Sequence, residues 1–313
     1  MLGVLLFLGS AHAAEPFFKK DDVIALVGGE DMVAASEYGY LETLITRALP
    51  NYHLRFRSLA WEGDTVYEQR RDLNFPTWEE QLDKIGATVV ICQFGQMESL
   101  GGKEKLPEFI SAYEKLLERF SAGGQRRLLI VGPSFVEPAT SLQPTTQQAL
   151  LHAMESEDEA HTAISNFANK KGYRLADAVK IAALLRLLGV DEKTGKWNPP
   201  IGLTFTRDGL HMSDVGQKLV AAGICQELGI QATPESLNSE MISAIRAKNH
   251  LWFDYWRVQN WAFLAGDRTN QPSSRDWRDP SKRWFPAERE EFIPLIEAKE
   301  KEIDALAAKL SGK

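Results

Sequence analysis

Four short apolar runs mark the first part of the chain: Val23–Val27, Leu54–Leu59, Thr88–Phe94 and Arg127–Val131. The third and fourth are almost unbroken hydrophobics, the pattern of a parallel sheet whose strands are covered on both faces. Between the runs the spacing becomes that of amphipathic helices, over about 36–48, 77–85 and 106–121. The last of these places Phe109, Tyr113, Leu116, Leu117 and Phe120 on one face. A longer helix is expected from Thr145 to Lys171, stopping at Gly172, then a short strand at Tyr173–Leu175 and a helix over 176–189. A further amphipathic helix opens near residue 213 and runs to 228. Strand–helix alternation with right-handed crossovers predicts an α/β fold, a doubly wound three-layer sandwich around a central parallel sheet. Ligands in such folds bind beyond the carboxyl ends of the strands. The loops after Val27, Leu59, Phe94 and Val131 are therefore the ones to read for chemistry.

The pattern changes after residue 235. Helical periodicity persists over 238–264, a polar stretch with prolines fills 270–287, and a charged helix with an apolar stripe (Phe292, Ile293, Leu295, Ile296, Ile303, Leu306) ends the chain. Five of the eight tryptophans fall here: Trp252, Trp256, Trp261, Trp277 and Trp284. The expected organisation is an α/β domain over 22–232 and a helical, Trp-rich extension over 233–313 packed on it. Tryptophans in such a setting serve mainly interhelical packing, and with the neighbouring arginines they would also suit the rim of a glycan site. The apolar segment Met1–Ala14 closes on Ala11-His12-Ala13-Ala14, the form of a secretory signal with an A-x-A cleavage site. Residues 1–14 are expected to be removed and the mature chain exported to the periplasm or the extracellular space.

A net charge of −7 argues against nucleic acid as a partner. Beyond the leader, no apolar stretch reaches the roughly 18–20 residues that span a bilayer. Cys92 and Cys225 lie within apolar patterns and read as small core residues. No His/Cys cluster has metal-ligand spacing and no Gly-rich loop suits a phosphate, so neither metal nor cofactor is expected. The run Glu155–Glu159 reads as a solvated helix face. Nothing in the pattern encodes an oligomeric state.

The sharpest chemical signal is Asp208-Gly209-Leu210-His211, just ahead of the helix near 213. A carboxylate three residues before a histidine can bond one ring nitrogen and leave the other to act as general base. Three earlier loops join it: Gly28-Gly29-Glu30 after the first strand, Trp61-Glu62-Gly63-Asp64-Thr65 after the second, and Gly95-Gln96-Met97-Glu98 after the third. In order and spacing these four segments resemble the blocks of the SGNH (GDSL-type) hydrolases, over roughly residues 22–230. The run Tyr38–Leu44 and the Trp/Arg-rich end resemble a secreted subgroup of that family. The resemblance implies a flavodoxin-like sandwich and an ester hydrolase acting on acyl or acetyl esters, including those of carbohydrates. It gives His211 and Asp208 as catalytic residues and the Gly63 N–H as an oxyanion donor.

Two family positions depart from the pattern. Glu30 stands where the family carries its serine nucleophile, and Met97 stands where it carries an asparagine donor. A thioether donates no hydrogen bond. Loss of one oxyanion donor typically costs about 10²–10³ in rate, and loss of the serine on the order of 10⁶. Three readings follow: a pseudoenzyme that holds a glycan or a partner, with Glu30 bonded to His211; a hydrolase with relocated chemistry in which Glu30 or Asp31 acts; or a displaced nucleophile at Ser36 or Ser99. An open cleft rimmed by the C-terminal tryptophans would speak for a ligand, and a Glu30–His211 bond in a closed site would speak against catalysis.

Overall fold

A computed structural model describes residues 16–176 and 205–312. The expected leader at 1–14, and the helix expected beyond Ala176, lie outside the described residues. Five parallel strands, β1 (Val23–Gly28), β2 (Arg55–Ser58), β3 (Val89–Gln93), β4 (Arg127–Val131) and β5 (Arg174–Ala176), form one sheet in the order β2-β1-β3-β4-β5. The chain turns to opposite sides of the sheet from β1, which opens a crevice at the carboxyl ends of β1 and β3. There Gly28 is in register with Gln93.

The helices are α1 (Glu30–Tyr38), α2 (Tyr40–Ala48), α3 (Trp78–Lys84), α4 (Gln96–Ser99), α5 (Leu106–Ser121) and α6 (Pro144–Lys171). They continue with α7 (Asp214–Glu227), α8 (Ser239–Trp256), α9 (Trp261–Leu264), α10 (Trp284–Glu290) and α11 (Phe292–Leu310). Successive strand residues point to opposite faces, and each face has its own core. Ile24, Leu26, Ile91 and Leu129 pack with side chains of α1, α2 and α7, such as Met32, Leu44 and Val220. Ala25, Val27, Cys92 and Ile130 pack with side chains of α3, α5 and α6, such as Leu82, Phe109 and Ile164. Burial on both sides is why β3 and β4 read as unbroken hydrophobics. Cys92 and Cys225 are free and buried.

Three expectations change in detail. The single helix over 36–48 is two helices: α1 starts at Glu30, directly after β1, and stops at Gly39, whose φ is +68°. A side chain at Gly39 would begin 3.0 Å from Ile245 Cγ2, so the break lets α8 approach closely. The helical stretch over 238–264 is interrupted after Trp256 and resumes only as the short α9. The acidic run Glu155–Glu159 is not uniformly solvated, because Ser156 and Glu157 are buried. Glu157 shares a helix face with the core residues Ala153, Ala160 and Ile164.

The C-terminal helices cover the edge strand β2. Its outward carbonyls are taken by side chains of α8: Lys248 Nζ donates to Phe56 O (3.2 Å) and Trp252 Nε1 to Ser58 O (2.7 Å). Arg55 and Arg57 on β2 pair with Asp304 (2.7 Å) and Glu300 (2.5 Å) of α11. An exposed sheet edge is a template for unwanted pairing, and here the extension closes it. Among the described residues no helix is long and apolar enough to cross a membrane.

Candidate active site

The first three loops meet at the crevice because glycine permits close approach. A Cβ at Gly28 would lie 2.4 Å from Gln93 O, and one at Gly29 would lie 2.8 Å from Asp64 O. The ends of β1 and β3 and the loop after β2 therefore converge directly in front of α1. The first N–H groups of a helix have no partner within it. Among the described residues neither the Glu30 N–H nor the Gly63 N–H donates to another group. Gly63 needs its backbone for this turn, with φ at +81° and nothing within 4 Å of where a side chain would begin.

The loop bearing the histidine is held by a residue that the sequence reading missed. Glu137, in the loop after β4, accepts from Phe205 N (3.0 Å), Thr206 N (3.0 Å) and Thr206 Oγ1 (2.9 Å) through one carboxylate oxygen. Its own N–H donates to Gly209 O (2.8 Å). Cross-loop bonds from Arg207 N to His211 O and from Ser213 N to Phe205 O, both 2.8 Å, complete a compact hairpin-like loop. Within it, Asp208 Oδ1 accepts from His211 N (2.9 Å) and Leu210 N (3.1 Å), and Oδ2 lies 2.7 Å from His211 Nδ1. Partial burial works against the Asp208 charge, but these N–H groups outweigh it and hold the carboxyl below its ordinary value. An ionised Asp208 makes Nδ1 the protonated nitrogen, so Nε2 carries the free lone pair. The imidazole is about one-third exposed (35%), within reach of an incoming molecule.

Glu30 does not bond His211. Its carboxylate lies 3.7 Å from Arg207 Nη2, on the same loop as the histidine. Met97 points outward and is 43% exposed. The buried amide of that segment is Gln96, whose Nε2 donates to Leu210 O (2.9 Å) and lies 3.5 Å from Asp31 Oδ1. It ties α4 to the histidine loop, and with both hydrogens directed at these acceptors it does not replace the missing oxyanion donor. Glu98 fastens the second and third loops, accepting from Val66 N (2.7 Å) and Gly95 N (2.9 Å). Gln96 was findable as the amide of Gly95–Glu98; nothing local marks Glu137.

Behind the pair lies Asp31, 7% exposed. Burial raises its pKa to about 6; the negative Glu30 adds to this, while the Ser134 hydroxyl and His211 work against it. Among the described residues neither Ser36 nor Ser99 is hydrogen-bonded to His211. Ser36 sits mid-helix in α1 and its carbonyl accepts from Asn249 (2.8 Å), while Ser99 Oγ donates to Gln96 O (2.6 Å). Among the described residues no three His, Cys, Asp or Glu side chains converge as metal ligands would.

A groove of about 360 Å³ runs between α1 and α8, floored by Val33, Ala60, Trp252, Phe253 and Trp256. Glu30, Val33 and Glu37 share one face of α1, so the groove leads along the helix from the position of Glu30. Burial raises the Glu37 pKa, as do the charges of Glu30 and Glu62, which places the groove within the same electrostatic field as the site.

No family model matches the chain, and no curated protein matches it by sequence. Solved structures do match. A gut microbial diltiazem-metabolizing enzyme is 18% identical with a TM-score of 0.54 over 68% of this chain, which spans about half (48%) of that enzyme's length. A GDSL-like lipase from Parabacteroides merdae is 13% identical at TM-score 0.49, over 68% of this chain and 98% of that one. An acetyl xylan esterase is 15% identical at 0.45, over 65% and 98%. The likeness is one of fold: the chain shares the α/β architecture of the first of these structures.

Proposed function

We propose that this chain is an ester hydrolase in which water, activated by the Asp208–His211 pair, takes the place of a serine nucleophile. The observation that carries the reading is the 2.7 Å bond between Asp208 and His211 Nδ1, with Nε2 left free on a partly exposed ring. In this scheme Nε2 removes a proton from water as the oxygen attacks the ester carbonyl. The carbonyl π electrons move to oxygen, and that oxyanion is received by the N–H groups of Glu30 and Gly63. Collapse breaks the ester C–O bond, and the imidazolium returns the proton to the leaving alkoxide. Arg207, 3.7 Å from Glu30, offsets the carboxylate charge that would otherwise oppose the oxyanion. The groove along α1 takes the acyl or alcohol portion of a small ester, and its aromatic floor also fits an acetylated sugar ring. Export of the mature chain is part of the same proposal and rests on residues 1–14; N-terminal sequencing of the secreted protein tests it.

The catalytic test is turnover of short-chain aryl esters and acetylated sugars, with His211→Ala in parallel. Removing the general base is expected to lower turnover by about 10²–10⁴, and equal rates in the two proteins would overturn the proposal. Specific observations favour one alternative, a non-catalytic binding protein: the serine position is held by a carboxylate turned toward Arg207, and Met97 faces solvent. Saturable binding of the same ligands without turnover would establish it.

A further inference from the structure

A second cavity, of about 210 Å³, lies on the far side of the Trp252–Trp256 turn from the groove, between α3, α8 and the start of α11. Its walls are the aromatic rings of Phe75, Trp252, Tyr255, Trp256 and Trp261. The polar ends of the three indoles are already used: Trp252 donates to Ser58 O (2.7 Å), Trp256 to Gln81 Oε1 (3.0 Å) and Trp261 to Leu73 O (2.8 Å). What the indoles offer a guest is ring surface. Three cations, Arg57, Lys84 and Arg289, line the same cavity, and no carboxylate does.

The three cations are not equivalent. Arg57 is answered by Glu300 at 2.5 Å. Lys84 and Arg289 have no carboxylate within ion-pair distance among the described residues. Both lie against one ring, Lys84 Nζ 5.4 Å and Arg289 Cζ 4.5 Å from the centre of Tyr255. Arg289 Nε donates to Tyr255 O (2.8 Å), which fixes the guanidinium while committing only one of its five N–H groups. Arg55, Arg57 and Arg71, by contrast, each face a carboxylate. Two unpaired cations at an aromatic box are therefore a local excess of positive charge beside apolar ring faces.

We infer that this cavity binds a flat aromatic carboxylate of single-ring size, its ring against the aromatic walls and its carboxylate on Lys84 and Arg289. The size fits, since a dry cavity of about 150 Å³ already accommodates benzene. The chemistry fits as well, because guanidinium and ammonium groups bind carboxylates through charge-assisted hydrogen bonds, and partial desolvation strengthens them. The site is separate from the Asp208–His211 pair and does not depend on the proposed hydrolysis.

The test is titration of the full chain with benzoate, followed by tryptophan fluorescence and calorimetry, with benzyl alcohol and acetate as partial probes. Benzoate is expected to bind at least about tenfold more tightly than either, as expected if ring burial and charge both contribute. Lys84→Gln, at an exposed position that leaves the fold intact, and Arg289→Gln should each weaken benzoate several-fold and leave benzyl alcohol unchanged. Equal affinity for benzoate and benzyl alcohol would overturn the inference, as would benzoate binding indifferent to both variants. So would the absence of saturable benzoate binding. His211→Ala should bind benzoate as the parent does; a loss there would assign the ligand to the catalytic edge instead.

Discussion

Two regions of this molecule use the same charged groups to opposite ends. Along the β2 edge, Arg55, Arg57 and Lys248 meet Asp304, Glu300 and Glu42, and the buried Lys248–Glu42 pair closes at 2.8 Å. Burial lowers the Lys248 pKa and raises that of Glu42, yet each charge faces its counterpart and Lys248 also holds Phe56 O. At the carboxyl edge of the sheet, Asp31 is as deeply buried but among the described residues no Lys or Arg is bonded to it, and it leans on hydroxyl and amide groups. His211 and Glu30 there remain open to solvent. Matched charges fasten an extension to a sheet edge, while at the carboxyl edge a carboxyl is buried without a bonded cation.

The strongest way to break the comparison is to unmatch the flank. Lys248→Ala leaves Glu42 buried without its cation and should cost about 3–5 kcal/mol in denaturant unfolding, while Lys248→Met with Glu42→Leu should recover most of it. A single variant as stable as the parent would show that packing alone, not charge matching, holds α8 on β2.

A smaller effect is expected at Asp31. The folded chain keeps this proton up to about pH 6, whereas an unfolded carboxyl releases it near 3.8. Between these values the folded state binds more protons, so stability falls as pH rises, reaching a loss of up to about 3 kcal/mol above pH 6. Asp31→Asn should therefore raise the melting temperature at pH 8 and change it little at pH 3. Equal shifts at both pH values would show that the burial of Asp31 carries no charge cost.

The smallest contrast lies within α4. Met97→Ala should stay within about 0.5 kcal/mol of the parent and leave turnover unchanged, while Gln96→Ala should cost about 1 kcal/mol and reduce turnover by loosening the histidine loop. The reverse ranking would put Met97, not Gln96, at the site.

Much of the fold was legible in the linear pattern. The pattern gave every described strand to within a residue or two, and β3 and β4 most sharply, because a strand buried on both faces excludes polar side chains. Asp208 and His211 were legible as a pair since three intervening positions suffice to close that bond within one loop. Glu137 was not, because its partners lie 68 and 69 residues away. Gln96 stood in plain view within Gly95–Glu98, but one residue of rotation on a short helix exchanges which side chain faces the crevice.

By itself, then, the chain's pattern determined the parallel sheet, the loops at its carboxyl edge and the local Asp–His geometry, all consequences of period, burial and short-range bonds. Only the tertiary structure decided that Glu30 turns to Arg207, that Met97 faces water, that Glu157 is buried and that the tryptophans divide between packing and two cavities. Those outcomes depend on which surfaces meet after the chain has closed. Distant side chains compete for the same partners, and no local spacing records which of them prevails.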